Sequence, residues 1–484
     1  METKHGWNHL ASTTPYLKAD GTPGSYCFSK AVADRGPLLL DKASVVSYLA
    51  FHYFLGNRSL VQGIERAPWM HYPADGKWLP FEIPRHGTDR SEAKAIAKKL
   101  RNLLEDECRD YVEGTSNVGI FLSGGMDSRL AASVLNKAQM ESGNAFSVTA
   151  LTWGLKGTRD VIYARRIADA LGWNWHHLDL TPELLRKNLH WTGREGCEVS
   201  SSHLHALLDV RSAGNFDVVI AGSYGDSIGR AEYSGVHVSA VFDYESISRD
   251  RFGVLRGCVL DETASAIRGD LQAQKEIWPG RSILAEREAA RQIHYMRRKF
   301  QAVMVAALEP LPLAQMFTRP DVVSLMWGLD PEIRDDRYYK ILSEELGQSL
   351  DNVPWARTGQ LFQNQAEKST EVAPRQFHRY GSWLREDLGA EIASRAMSDR
   401  VLGTGLFNES SLGRLLAAWR LGRTSTIGQI DEMISWLASF DVFLETYDVR
   451  IIESTPLAAK DILRGWKGSL HAYAYNLIRS LLRD

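Results

Sequence analysis

Between residues 116 and 240 the chain alternates short β-branched or apolar runs with stretches of helical periodicity. The apolar runs are 118–122, 146–152, 176–180 and 218–221, and helical patterns include 128–137 and 161–171. Such alternation is typical of a parallel sheet covered by helices on both faces. We therefore predict an α/β fold with a parallel twisted sheet, followed by a mostly helical C-terminal half from about residue 285, where nearly every pattern is helical.

Composition narrows the class of protein. The formal net charge is −2 over 484 residues, so no global charge favours nucleic acid or an anionic membrane as partner. The longest apolar runs fall short of the roughly 18 residues that a spanning helix needs. Four cysteines without a C-x-x-C pair indicate a reducing, cytoplasmic location. The length exceeds the roughly 250 to 300 residues of a single core, so we expect two or more domains.

Three flanking segments carry predictions of structure. Residues 45–53 suggest an amphipathic helix, and Ser91 is expected to cap a long helix through 95–104. The basic C-terminal stretch around 460–483 also contains Trp466 and several leucines. An amphipathic helix that covers the body of the protein is favoured there over a nucleic-acid-binding arm.

The segment 118–130 carries the most chemical information. A buried strand is expected to end at Leu122, and Gly124 and Gly125 allow a sharp turn before a helix that begins near Ser128. Successive amides at a helix N-terminus form a pocket for phosphate oxygens, to which Ser123 and Ser128 add hydroxyl groups. Asp127 would repel a phosphate unless a divalent cation lay between them. The simplest ligand is therefore a magnesium nucleotide, with Asp127 on the metal.

The sequence Ser123-Gly124-Gly125-Met126-Asp127-Ser128 resembles the pyrophosphate-binding loop of the N-type ATP pyrophosphatases, and its surroundings resemble asparagine synthetase. The resemblance extends over roughly residues 40–445 and implies an adenine nucleotide alpha hydrolase-like fold. It implies ATP and Mg²⁺ as cofactors, with Asp226 as a second metal-binding residue. Residues expected to bind the nucleotide are Leu122, Ser123, Gly124, Gly125, Asp127, Ser128, Leu151, Gly222 and Ser223.

The resemblance also implies a reaction. Two Gly-rich acidic loops would hold a triphosphate while a carboxylate attacks the α-phosphate, and an amine would then convert the acyl-adenylate into an amide. The family default is aspartate to asparagine with release of AMP and pyrophosphate. Catalytic roles are expected for Tyr224, Lys340 and Arg357: Tyr224 assists deprotonation of an amine, and the two basic residues contact departing phosphate.

Departures from the family pattern limit what the resemblance implies. The chain begins Met1-Glu2-Thr3 instead of exposing a catalytic Cys. We expect residues 1–90 to be a truncated region resembling the end of a glutaminase domain, 91–445 the ATP pyrophosphatase domain, and 446–484 a helical extension. Glutamine hydrolysis is not expected, so ammonia or an amine would come from solution, a separate ammonia donor or a carrier protein. Ser227 replaces a family Glu, and only Arg357 stands where the family carries a Lys.

Two alternatives to an asparagine-forming enzyme stay open. One is a tailoring ligase that closes an amide ring or condenses an amine, as the β-lactam and lasso-peptide cyclases do. The other is a nucleotide-binding pseudoenzyme or scaffold, motivated by the missing lysine. His203 and His205 could line the substrate cleft, although a core or capping role is at least as consistent with the sequence.

Overall fold

The computed structural model describes residues 10, 14–82, 84–230, 250–277, 282–345, 349–361, 373–451 and 458–483. The strands in these residues are β1 (Leu38–Leu39), β2 (His71–Ala74), β3 (Lys77–Pro80), β4 (Asn117–Phe121), β5 (Ser147–Gly154), β6 (Asn174–Asp179), β7 (Val218–Ala221), β8 (Leu313–Gln315) and β9 (Val449–Arg450).

Five of these strands form one sheet in the order β6-β5-β4-β7-β8. Every neighbouring pair in it is parallel, as predicted. The sheet grows from β4 outward through β5 and β6, and the chain then returns to the other side of β4 to form β7. Strand order therefore reverses between β4 and β7, and ligands of such sheets bind beyond the carboxyl ends of the strands at this point. The prediction missed β8, which has only three residues and follows two prolines within four positions.

Helices account for most of the remaining described chain. Their bounds are α1 (Phe28–Ala31), α2 (Lys42–Phe51), α3 (Ala93–Val112), α4 (Met126–Glu141), α5 (Arg159–Ala170), α6 (Pro182–Arg194), α7 (Gly257–Ile277), α8 (Ile283–Ala290), α9 (Val303–Leu308), α10 (Pro320–Gly328), α11 (Asp336–Glu345), α12 (Tyr380–Arg385), α13 (Gly389–Ala396), α14 (Asp399–Gly403), α15 (Glu409–Arg420), α16 (Gln429–Thr446) and α17 (Ala459–Arg483). A π-helical stretch, Arg291–Ala302, joins α8 to α9. The second half is thus mostly helical, as expected.

The sheet is buried on both faces. Along β4, Val118 and Ile120 belong to one hydrophobic cluster and Phe121 to the other. In β7, Val219 and Ala221 likewise share a cluster that excludes Ile220. Because successive strand residues point to opposite faces, each face has its own core. This confirms the predicted sheet with helices on both sides.

The first core joins the N-terminal region to the C-terminal helices. It contains residues of α2 together with residues of α6, α7 and α12–α16. Tyr48 stacks on Trp436 with ring centroids 4.3 Å apart. The short strand β1 pairs in parallel with β9. Residues on both sides of the boundaries expected at 90 and 445 therefore pack together.

Two local predictions were wrong. Helix α2 is buried on nearly every side instead of being amphipathic, because it lies between α7 and the C-terminal helices. Ser91 does not cap α3: its N–H and hydroxyl donate to Asp89 Oδ1 at 2.9 and 2.7 Å, and the helix begins at Ala93 after Glu92. Within the described ranges, no helix combines the length and the apolar character needed to cross a bilayer.

Candidate active site

The loop between β4 and α4 is organised by its own hydroxyl groups. Ser128 Oγ accepts the Ser123 N–H at 3.2 Å, and the two hydroxyl oxygens lie 3.1 Å apart. Ser123 Oγ in turn accepts the Gly125 N–H at 3.1 Å. Gly125 is the N-cap of α4 and has no side chain to satisfy the first amides of that helix. These amides, at the positive end of a 16-residue helix, are suited to bind an anion.

Gly124 allows a neighbouring segment to approach closely. A Cβ at this position would lie 2.8 Å from the Ala356 Cβ and 3.0 Å from the Tyr163 Cβ, so a larger residue does not fit. The Ala356 N–H donates to the Gly124 carbonyl at 3.0 Å. The Gly124 N–H donates to Asp160, whose pKa burial raises to about 6 although this amide and Arg375 lower it.

The loop after β7 contacts the first loop directly. A Cβ on Gly222 would lie 3.0 Å from the Asp127 carbonyl oxygen, and one on Gly225 would lie 2.5 Å from Asp127 Oδ1. Both positions therefore require glycine for the two loops to approach each other. The Tyr339 hydroxyl donates to the Gly225 carbonyl at 2.8 Å and fixes the second loop against α11.

The two predicted metal ligands, Asp127 and Asp226, both pair with the positively charged side chain of Arg230. Arg230 Nη2 lies 3.2 Å from Asp127 Oδ2 and also forms an ion pair with Asp226. Its Nη1 lies 2.9 Å from Asp336 Oδ1. Burial lowers the pKa of Arg230, but Asp127 and the other acidic neighbours raise it above its ordinary value. A positive charge is thus held between the two acidic loops.

The donor set fits a magnesium ion only together with a nucleotide. No group of three or more His, Cys, Asp or Glu side chains in the described residues could hold a metal ion alone. Asp127 and Asp226 supply two carboxylates on adjoining loops, and both line the same cavities. Mg²⁺ commonly takes one or two carboxylates and completes its shell with phosphate oxygens and water. The residues present meet that requirement.

Two connected cavities meet at these loops. The smaller and less open of the two, called here the closed cavity, has a volume of about 450 Å³, and the larger, called the open cavity, about 1130 Å³. Both are lined by Ser123, Gly125, Asp127, Asp160, Asp226 and Phe377. The closed cavity extends along the strand ends past Leu122, Leu151, Gly222 and Ser223, and the open cavity extends past Arg230, Trp355, Arg357 and Arg375. One chamber is therefore largely apolar and the other basic.

A buried polar cluster adjoins the closed cavity, which is lined by its members His203 and Lys299. Lys299 Nζ lies 3.0 Å from His203 Nε2 and 3.5 Å from Glu432 Oε2. His52 Nδ1 lies 3.3 Å from the same Glu432 oxygen. Burial lowers the pKa of His52 to about 4 and also lowers the pKa of His203 and of Lys299. Burial would raise the pKa of Glu432, but Lys299 and His203 bring it well below the ordinary value.

Burial therefore favours the neutral form of both histidines of this cluster near pH 7. His205 also lines the cavity, and burial lowers its pKa to about 3. Both histidines noted in the sequence thus line the cavity. Lys299 was not predicted. It is one of three consecutive basic residues, 297–299, and no signal in the sequence distinguishes it from the other two.

Ten of the predicted site residues lie at the cavities. Leu122, Ser123, Gly125, Asp127, Ser128, Leu151, Gly222, Ser223 and Asp226 line the closed cavity, and Arg357 lines the open one with its side chain exposed. Gly124 lines neither and instead packs behind the loop.

The structure does not bring Tyr224 or Lys340 into the site. Tyr224 is 1% exposed and belongs to the hydrophobic core, one position beyond Ser223, which faces the closed cavity. Lys340 is half-buried on α11 and lines neither cavity. Neither placement supports the catalytic role predicted for that residue, and the two roles remain predictions. Arg230 was missed, although it follows Asp226 by four residues, a spacing that places two side chains on the same side of a helical turn.

Comparison with known proteins identifies the central segment. Residues 99–334 match the family model described as asparagine synthase. The matched stretch includes the whole five-stranded sheet and both acidic loops. It is an asparagine synthase domain.

Individual relatives match shorter parts of the chain. A glutamine-hydrolysing asparagine synthetase from Gallus gallus is 27% identical over 92 residues, or 19% of this chain and 16% of the relative. Its counterpart from Pongo abelii is 26% identical over 164 residues, or 33% of this chain and 25% of the relative. The chain thus aligns with a quarter or less of the length of these relatives.

Two solved structures share limited likeness. NMN synthetase from Francisella tularensis is 18% identical, with a TM-score of 0.19, over 29% of this chain and 59% of that one. The U34-tRNA thiolase NcsA from Methanococcus maripaludis is 14% identical, with a TM-score of 0.22, over 57% of this chain and 86% of that one. TM-scores this low support no inference about activity.

Proposed function

Because residues 99–334 form an asparagine synthase domain, we propose that this chain is an ATP-dependent ligase that joins a carboxylate to a nitrogen nucleophile as an amide. The single observation that carries the proposal is the meeting of two Gly-rich acidic loops at the point where strand order reverses. Asp127 and Asp226 share one cation there, beside the amides that begin α4. This arrangement supports a bound magnesium triphosphate.

In the first half-reaction the loop residues bind the nucleotide. The amides at the start of α4 and the Ser128 hydroxyl would donate to phosphate oxygens, while Leu122 and Leu151 provide an apolar surface for the base. The substrate carboxylate oxygen attacks the α-phosphorus, the bond to the bridging oxygen breaks, and pyrophosphate leaves. Held by Asp127 and Asp226, Mg²⁺ would neutralise phosphate charge. Arg230 and Arg357 line the open cavity, where they can receive the departing pyrophosphate.

In the second half-reaction the nitrogen attacks the acyl carbon. AMP leaves and the nitrogen loses a proton. The largely apolar lining of the closed cavity would limit hydrolysis of the acyl-adenylate during this step. We propose aspartate and ammonia as the default substrates of the domain, with ammonia reaching the site from solution, a separate donor or a carrier protein.

A second candidate function is a tailoring ligase that acts on a larger amine or carboxylate. The volume of the open cavity, about 1130 Å³, favours it because small-molecule sites usually measure roughly 300 to 1,000 Å³. This chamber is lined by aromatic and basic side chains, including Trp355, Phe377 and Arg375. An extended substrate with aromatic or acidic groups would fit such a lining.

Exchange of labelled pyrophosphate into ATP tests the proposal. The chain is incubated with a panel of carboxylates that includes aspartate, and exchange is expected with at least one of them. Asp127→Asn and Asp226→Asn should each lower the exchange rate at least a hundredfold. Each change removes a carboxylate that would hold Mg²⁺ at the phosphates, so the loss should be the same for every carboxylate substrate. Asp106→Asn is the matched control, since Asp106 lies half-exposed on α3, where it pairs with Arg109.

The outcomes separate the candidates. Exchange with aspartate followed by amide formation with ammonium supports the default reaction, and exchange only with a large substrate supports the tailoring ligase. Unchanged exchange in Asp127→Asn would contradict the assigned site. Tight ATP binding without exchange for any acid would instead support a nucleotide-binding scaffold.

A further inference from the structure

The C-terminal helix α17 faces the protein with its smallest residues. Its buried positions include Gly465, Gly468, Ser469 and Ala472. A Cβ added to Gly468 would lie 2.1 Å from the Phe252 backbone, which shows how closely the helix axis approaches the body. Only this face can be turned inward, because large side chains cannot replace these residues at such a separation.

Polar contacts fix the same orientation along the length of the helix. Arg414 Nε donates to Ser469 Oγ at 2.9 Å, and Asn476 Nδ2 donates to the Ala418 carbonyl at 2.7 Å. Near the end of the helix, Arg479 Nη2 donates to the Ile427 carbonyl at 2.8 Å. Rotation of α17 about its axis would break all three contacts and is therefore excluded.

The opposite side of α17, called here the outer face, is apolar and exposed. Eight large hydrophobic side chains on it are between 41% and 74% exposed. They are Ile462, Leu463, Trp466, Leu470, Tyr473, Leu477, Ile478 and Leu481. Only four other large hydrophobic residues in the described chain are exposed, by 39% to 66%, and they are scattered over other parts of the fold. A continuous apolar face of this kind is typical of an interaction surface.

We propose that the outer face of α17 pairs with the outer face of a second copy of this chain, with the two helices antiparallel. Leu463, Trp466, Leu470, Tyr473 and Leu477 alternate spacings of three and four residues, the repeat that forms a seam between two helices. A face that pairs with itself gives a closed dimer with twofold symmetry.

The available area is sufficient for such a dimer. Complete burial of the eight side chains would remove about 600 Å² of apolar surface per copy, or about 1,200 Å² in total. A specific interface needs roughly 1,000 Å². The outer face therefore reaches that threshold before any contribution from neighbouring elements.

The distribution of charge selects the antiparallel arrangement. Lys460, Arg464 and Lys467 all lie in the first half of α17, whereas residues 472–478 contain no charged side chain. Parallel pairing would place the lysines of the two copies side by side. Antiparallel pairing centred on Leu470 places Arg464 and Lys467 of each copy beside the uncharged stretch 472–478 of the other. No residue of α17 lines either cavity, so the dimer would leave the proposed active site accessible.

Molar mass in solution tests the dimer. Light scattering coupled to size-exclusion chromatography, over a range of protein concentrations, should give twice the chain mass for the wild type. Leu470→Glu and Leu477→Glu should each weaken dimerisation at least tenfold, because a carboxylate is desolvated in the seam. Met140→Glu, at a side chain 66% exposed on α4, is the matched control and should remain dimeric. Circular dichroism checks that each variant is folded.

Cysteine cross-linking tests the orientation. In a Cys258→Ser background, the other native thiols are buried. Leu470→Cys should form an intermolecular disulfide under mild oxidation, whereas Leu481→Cys, at the end of the helix, should not. Efficient cross-linking at both positions would contradict the antiparallel arrangement.

A monomeric wild type at every concentration would overturn the proposal, as would a dimer unaffected by both glutamate variants. Sedimentation with vesicles containing phosphatidylserine tests whether the outer face binds a membrane instead. A monomer that binds these vesicles through Leu470 and Leu477 would assign the outer face to a membrane surface instead of a second copy. Neither readout depends on catalysis, so failure of the proposed ligase reaction would leave this test unaffected.

Discussion

At the scale of single residues, the site is defined mainly by the positions of a few charged side chains. Asp127 could be singled out from the sequence because it follows a short apolar strand and two glycines, a local pattern, and Asp226 came from the family resemblance. Arg230 could not be assigned in the same way, because its role depends on where the second loop folds relative to the first. The placement of Tyr224 in the core could not be predicted either, since a shift of one position separates a cavity residue from a core residue.

A buried ion pair between Arg334 and Glu288 of α8 gives a prediction with a defined pH dependence. Arg334 Nη1 and Nη2 donate to the two oxygens of Glu288 at 2.8 and 2.7 Å, and both side chains are at most 1% exposed. Burial would raise the pKa of Glu288, but Arg334 and His86 lower it to about 2. Glu288→Gln would leave the guanidinium without its counter-charge and should cost about 3 kcal/mol of stability at pH 7.

The direction of the pH dependence follows from the lowered pKa of Glu288. The stabilising contribution of Glu288 is present in full above the unfolded value of about 4.5 and is lost as the pH falls towards 2. Melting temperatures of wild type and Glu288→Gln should therefore differ by several degrees near pH 7 and converge between pH 4.5 and 2. Glu332→Gln removes an exposed partner of Arg90 and should have little effect at any pH. A difference that persists unchanged at low pH would contradict the ion-pair assignment.

At the scale of elements, periodicity predicted four of the five central strands and both helices that follow the first two of them. Strand β8 lies beyond such methods because three residues show no alternation. The amphipathic reading of α2 failed because a helix buried on all sides carries apolar residues all round. Both errors arise from tertiary neighbours that are distant in the sequence.

The contact between the two acidic loops gives a prediction at this scale. Gly225→Ala would place a methyl group 2.5 Å from Asp127 Oδ1 and 2.6 Å from its Cβ, so the Asp127 side chain must move. Calorimetric affinity for magnesium ATP should fall at least tenfold, while circular dichroism shows a folded protein. Gly269→Ala is the control, because a Cβ there meets nothing within 4 Å in helix α7. It should leave affinity unchanged and stabilise the helix by about 0.5 to 1 kcal/mol. Wild-type affinity in Gly225→Ala would show that the loops separate easily.

At the scale of the whole molecule, two cores lie on opposite faces of one sheet. The core that contains α2 and α16 links segments nearly 400 positions apart, which no local pattern could predict. The expected division at residue 90 remains a prediction, and the stacking of Tyr48 on Trp436 provides a way to test it.

Trp436→Ala should destabilise both the N-terminal region and the C-terminal helices that pack against it. The indole is fully buried and its Nε1 donates to the Cys197 carbonyl at 2.8 Å, so truncation should cost about 3 to 5 kcal/mol. Hydrogen exchange followed by mass spectrometry should then show faster exchange in 42–64 as well as in 429–446. Trp78→Ala, in the β2–β3 hairpin, should affect neither segment. Faster exchange confined to the C-terminal helices would indicate that the N-terminal region folds independently.

The account as a whole depends on a magnesium nucleotide at the junction of β4 and β7. Isothermal titration of ATP into the wild type and Asp127→Asn, with and without Mg²⁺, tests this claim most directly. Saturable binding that requires Mg²⁺ and weakens at least tenfold in Asp127→Asn is the predicted result. Absence of binding to the wild type, or equal binding to both proteins, would contradict the account.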